Sequence, residues 1–161
     1  MENPPIIPDI LLEEEIALSY EPASTGQRFL NYTIDNLLMS YGLDYATGAA
    51  FGYLLSTINP ELAEAFTAES EATWQLVLFT YSLSIFNYLI YYTICEKLFK
   101  GCTLGKLITG SKAIREDGEA LTFKDALLRS LSRIVPFEAL SAFGGHPWHD
   151  RWTKTRVVKT R

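Results

Sequence analysis

The chain has 161 residues, 48 % of them hydrophobic, a formal net charge of −5 and two cysteines. That length suits one domain, and two cysteines exclude a disulfide framework. The charge is divided along the chain: before Glu96 stand twelve acids and one base, Arg28, and from Glu96 onward seven acids and thirteen bases. Such a division fits anionic headgroups at one side of a bilayer, whereas no nucleic-acid module is visible and no nucleic-acid partner is expected.

The N-terminus, MENPPIIPDILLEEE, has three prolines, a glutamate triplet and no basic residue. A cleaved secretory signal opens on positive charge, so residues 1–24 read as an acidic cytoplasmic tail with a short amphipathic helix over Ile10–Ser19. Ser24 or Thr25 is placed to cap a helix that begins near Gln27. That helix enters the first apolar run, Leu37–Ile58, which carries one charge, Asp44. From Arg28 to Ile58 it would be about 46 Å long, more than the bilayer core. Asn59-Pro60 ends it. The loop Glu61–Thr73 has four glutamates and no Lys or Arg, as a translocated loop should, and its ELAEAF stretch suits a short surface helix.

Trp74 suits the far interface and opens the second apolar run, Trp74–Cys95, which has no charge. Each run is 22 residues, or about 33 Å as helix. Lys97, Lys100, Lys106, Lys112 and Arg115 follow, which places both termini in the cytoplasm. The next stretch, GCTLGKLITGSKAIREDGEALTF, is glycine-rich, and Asp117-Gly118 predicts a small hairpin or loop. Thr122 and Asp125 form a capping-box pattern before a third helical segment, Phe123–Phe143, kinked at Pro136. Arg129, Arg133 and Glu138 argue against a lipid-exposed span there. The expected fold is an all-α membrane protein: a transmembrane helical hairpin, spans about 31–58 and 74–96, plus a third amphipathic or partly inserted segment at 123–143.

Several residues invite a functional reading. Asp44 lies near mid-bilayer, where a carboxylate costs about 2.5–3.5 kcal/mol and needs a proton, a partner or water. It is either a transport carboxylate or a satisfied packing residue. Gly48 and Gly52 form a GxxxG pattern that permits close helix packing, or arise by chance. Thr80, Ser84, Asn87, Tyr88 and Tyr91 share one face of the second helix and suit packing or a narrow polar path. Gly101 to Leu107 is not a phosphate loop: three residues separate its glycines instead of four, and Leu107 stands where Ser or Thr should bind magnesium. His146, His149 and Asp150 lack a standard metal-ligand spacing, and no nucleophile–base arrangement is present. Neither a metal, a cofactor nor an enzymatic activity is expected.

Three motifs in order resemble the RDD family of bacterial membrane proteins, named for one arginine and two aspartates. They are GQRFLNYTID, TLGKLITG at Thr103–Gly110, and LLRSLSRIVPFEALSAF followed by WHDRWTKTRVV. Arg28, Asp35 and Asp150 match the named positions, and the resemblance covers roughly residues 24–158, with a membrane domain over 25–161. It implies a helical module of the bacterial cytoplasmic (inner) membrane, for which transport of unidentified ligands has been suggested. Arg28 and Asp35 are seven residues apart, on nearly the same helix face but about 10 Å apart by rise, so a third group is needed between them. Asp150 or a polar residue of the third segment could supply it, forming a structural clamp or an ion- or substrate-contacting cluster. Asp44, nine steps on, should face away from Asp35 on a straight helix. Two functions follow as expectations: transport of a cation or proton-coupled solute, or a non-catalytic scaffold or accessory subunit. The expected partners are the lipid bilayer and a second copy or another membrane protein.

Overall fold

A computed structural model describes residues 20–67, 74–141 and 147–160. The expected Ile10–Ser19 helix, the far end of the third segment with Phe143, and His146 lie outside those residues.

Helix α1, Thr25–Leu38, starts at a reciprocal cap: Gln27 N donates to Ser24 Oγ, and Ser24 N donates to the Gln27 side chain. The chain continues through a six-residue π-helical segment, Met39–Asp44, into α2, Tyr45–Ile58. Asn59 stops α2, and its side chain accepts from Leu62 N to cap α3, Pro60–Thr67. Helix α4, Trp74–Leu98, returns, and its Leu76–Leu98 portion is long and apolar enough to cross a membrane.

Short elements follow. They are α5, Leu104–Thr109; β1, Ser111–Arg115; α6, Phe123–Ser132; α7, Glu138–Ser141; α8, Trp148–Trp152; and β2, Thr155–Lys159. Of these, α5 packs against α1 and α6 against α4, while the rest pack on one another. The all-α expectation is corrected here, because β1 and β2 form an antiparallel two-stranded sheet with Ser111 opposite Lys159 and Arg115 opposite Thr155. Of the hairpin or loop expected at Asp117-Gly118, the turn is present as a loop, and the strand partner of β1 comes from the far end of the chain. Residues 21–23 join β2 through Ala23 N to Val157 O and Lys159 N to Glu21 O, so the end of the tail belongs to the fold. Ala23, Ala113, Leu121 and Val157 make the small apolar core at this sheet.

The third segment is not one kinked helix. The Thr122–Asp125 capping box opens α6, which ends at Ser132, ahead of Pro136. The proline disfavours helical backbone at the residue before it, and Phe137 takes a left-handed φ of 67° before α7 begins. Helix α6 lies against α4, with Thr93 Oγ1 donating to Ser130 Oγ at 3.1 Å. Helix α5 lies against α1 at Gly105, where an added Cβ would stand 2.5 Å from Asn31 O, so the two backbones meet only because no side chain intervenes.

Candidate functional site

Glu96, at the foot of α4, is fully buried and holds three cations. Its Oε1 lies 2.6 Å from Lys106 Nζ and 3.0 Å from Arg133 Nη2, and its Oε2 lies 2.9 Å from Arg129 Nε. The three come from α5, α6 and the turn after α6, so one carboxylate ties these elements to the foot of α4. Burial lowers the Lys106 ammonium to about 8 against the pull of Glu96. For Arg133, burial acts downward and the Glu96 carboxylate outweighs it, so the guanidinium is held above its ordinary value. Arg133 also lies 4.4 Å above the Tyr92 ring.

Arg129 extends the network. It is buried, donates from Nη1 to Asp150 Oδ1 at 2.6 Å, and bonds Thr155 Oγ1. The other oxygen of Asp150 takes Arg28 Nη1 at 2.7 Å, and Arg28 also donates to the carbonyls of Ala23 and Val157. Burial would raise the Asp150 carboxyl, but Arg129 and Arg28 hold it well below the usual carboxylate range. Arg28 and Asp150 are therefore brought together. His149 Nδ1 lies 2.5 Å from Glu138 Oε1, and burial with Arg133 nearby lowers the ring to about 4, so it is neutral at pH 7.

Asp35 does not join that pair. Its carboxylate accepts from Tyr91 Oη at 2.7 Å, Thr103 Oγ1 at 2.6 Å and Gly105 N at 2.8 Å, partners it shares with neither Arg28 nor Asp150. The Thr103 hydroxyl also accepts from Lys106 N, capping α5. The TLGKLITG motif thereby acquires a physical meaning. Thr103 caps the helix and binds Asp35, Gly105 lets α1 approach, Lys106 reaches Glu96, and Gly110 closes the helix in a left-handed turn.

Asp44 is half-buried, and Asn87 Nδ2 donates to it at 2.7 Å and to Thr47 Oγ1 at 2.8 Å. Asn87 and Tyr91 are one turn apart on α4, so Asp44 and Asp35 address the same helix face, contrary to the straight-helix expectation. The π segment between them is the reason. Its wider turns use an extra residue and rotate each side chain by less, which brings Asp44 back toward α4.

Gly48 and Gly52 do not mediate a close contact in this chain: an added Cβ meets nothing within 4 Å at either position. They line a groove with Leu55 and Leu83 instead, and the close helix approach is at Gly105. Among the described residues no three His, Cys, Asp or Glu side chains group as a metal site. Sequence reasoning missed Glu96, because a charge at the end of an apolar run looks like an ordinary helix boundary. The signal available was the excess of cations at 106, 129 and 133 over nearby acids.

Taken together, the chain is a mostly helical protein with one helix fit to cross a membrane and a buried ion-pair network beneath it. The RDD family model matches residues 22–154, which include Arg28, Asp35 and Asp150, and the chain belongs to that family. Comparisons with curated proteins and with solved structures gave no match.

Proposed function

We propose that this chain is a two-span protein of the bacterial cytoplasmic membrane, with both termini cytoplasmic, which carries a cation or protons through assembled copies, and that Asp44 is the group that binds them. The observation that carries this reading is the pair of carboxylates, Asp44 and Asp35, which bond Asn87 and Tyr91, one turn apart on a single face of α4. Hydroxyl and amide groups around them can pass a proton or ligate a desolvated cation without bulk water. The membrane setting is supported by an inverted burial pattern. No residue of α2 is buried and only 22 % of the apolar window of α4 is, whereas Asp35, Glu96 and Arg129 are. Apolar surface left bare while charges are enclosed suits a lipid environment.

Flux of protons or monovalent cations in proteoliposomes tests the reading. Asp44→Asn keeps the size of the side chain and is expected to abolish pH-dependent flux with assembly intact. If the wild-type protein moves no cations, or Asp44→Asn moves them equally well, the carrier role is wrong. The alternative, a non-catalytic scaffold or accessory subunit, would then stand.

A further inference from the structure

Between α1, α4 and the segment after α6 lies a cavity of about 600 Å³, within the range of roughly 300–1,000 Å³ usual for small-molecule sites. Its walls are mostly apolar and aromatic: Phe29 and Tyr32 from α1, Tyr81 and Ile85 from α4, and Phe137 beyond α6, all exposed along one side of the cavity. Arg133 lines its inner part. That side chain is 9 % exposed, its Nη2 is engaged by Glu96, and its Nη1 is buried with no acceptor among the described residues. A guanidinium fixed by a carboxylate on one side and an aromatic ring beneath, with a donor left over, is prepared for an anion.

Arg28, Lys106, Arg129 and Arg133 place four positive charges in the network. Glu96, Asp150 and Glu138 answer with three, and Glu138 lines the cavity beside a neutral His149. Asp35 also lines the cavity, but its carboxylate is taken by Tyr91, Thr103 and Gly105, and it makes no ion pair among the described residues. With Asp35 the carboxylates number four and match the four cations, so what Arg133 still lacks is an acceptor for its Nη1, and apolar surface continues from it to the outside of the helices.

We propose that this cavity binds an anionic phospholipid, its phosphate on Arg133 and an acyl chain running between Tyr32 and Ile85. The phospholipid is favoured over a free anion because the apolar walls would otherwise face water. The proposal uses the membrane part of the proposed function and is independent of transport. Retention of the protein in carbonate-washed membranes tests that membrane part separately.

The test is native mass spectrometry of the full-length protein released from detergent and titrated with phosphatidylglycerol, phosphatidylcholine or inorganic phosphate. Phosphatidylglycerol, whose phosphate charge is unbalanced, is expected to bind about tenfold more tightly than phosphatidylcholine, whose phosphate is already balanced by its own choline cation. Arg133→Gln is expected to remove that preference. Ile85→Trp, which fills the wall and leaves every ion pair intact, is expected to weaken both lipids. Equal binding of the two lipids by the wild-type protein would overturn the proposal. So would an unchanged preference in folded Arg133→Gln, unchanged lipid binding by Ile85→Trp, or inorganic phosphate binding as tightly as the anionic lipid. Should Arg133→Gln fail to fold, the wild-type ratio and Ile85→Trp decide.

Discussion

Glu96 shows how much one side chain can organise. A buried carboxylate alone is costly, and so is each buried cation, but together they satisfy one another across three elements. Removing the centre is worse than removing a spoke. Glu96→Ala leaves Lys106, Arg129 and Arg133 without their shared counter-charge, and is expected to destabilise by about 3–5 kcal/mol or more. Glu119→Ala, at an exposed position, should stay within about 0.5 kcal/mol. Thermal unfolding in detergent, followed by circular dichroism, compares them. His149 gives the network a pH limit. Its folded-state value is lowered from 6.5 to about 4, with Glu138, Asp150, Arg129 and Arg133 around it. Between those values the unfolded chain takes up a proton and the folded one does not, so stability falls as pH drops from 6.5 toward 4, by about 3 kcal/mol in all. His149→Gln should flatten that part of the stability profile; an unaltered profile would locate the acid sensitivity elsewhere.

At the scale of elements, helix contacts are decided where backbone meets backbone. Gly105→Ala puts a methyl group 2.5 Å from the Asn31 carbonyl oxygen and 3.0 Å from Asp35, so α1 and α5 must separate and the Asp35 bonds must loosen. A loss of about 1–3 kcal/mol is expected, the usual cost of overpacking. Gly48→Ala meets open space in this chain and, in the monomer, should be neutral or gain slightly from helix propensity. Unfolding midpoints of the two variants check this. If Gly48→Ala is the more damaging, Gly48 packs against another copy. The contrast also marks what the sequence made legible. Both apolar runs and the caps at Ser24 and Thr122 carry local signals, and each has a counterpart in the fold, whereas Pro136 signalled a kink and the helix ends before it. The π segment carries none, since MSYGLD is compatible with either helix type. Its effect on phase, which turns Asp44 toward Asn87, is what a straight-helix count could not supply. Strand β2 was equally hidden: TRVVK is short, and its partner residues lie 40 to 48 positions upstream.

For the molecule as a whole, polarity is arranged around two regions. The buried charges gather at the foot of α1 and α4, where the sheet, α5, α6 and α8 enclose them, and the upper helices present Tyr41, Tyr53, Ile58 and Tyr81 outward. Arg28 and Asp150, which lie far apart along the chain, close this lower region by joining α1 to α8. If the helices cross a bilayer as proposed, α3 must lie on one side and the ion-pair network on the other, because the loop at Glu61 carries acids alone while bases crowd the segment after Glu96. Single cysteines at Glu61 and at Lys124, both exposed positions, with Cys95 and Cys102 replaced by serine, report this directly. In sealed right-side-out vesicles a membrane-impermeant maleimide should label the residue at 61 at once and the residue at 124 only after permeabilisation. Prompt labelling of both would place the network and α3 on the same face. The apolar surfaces of α2 and α4 would then have to be covered by protein, as an assembled subunit would cover them.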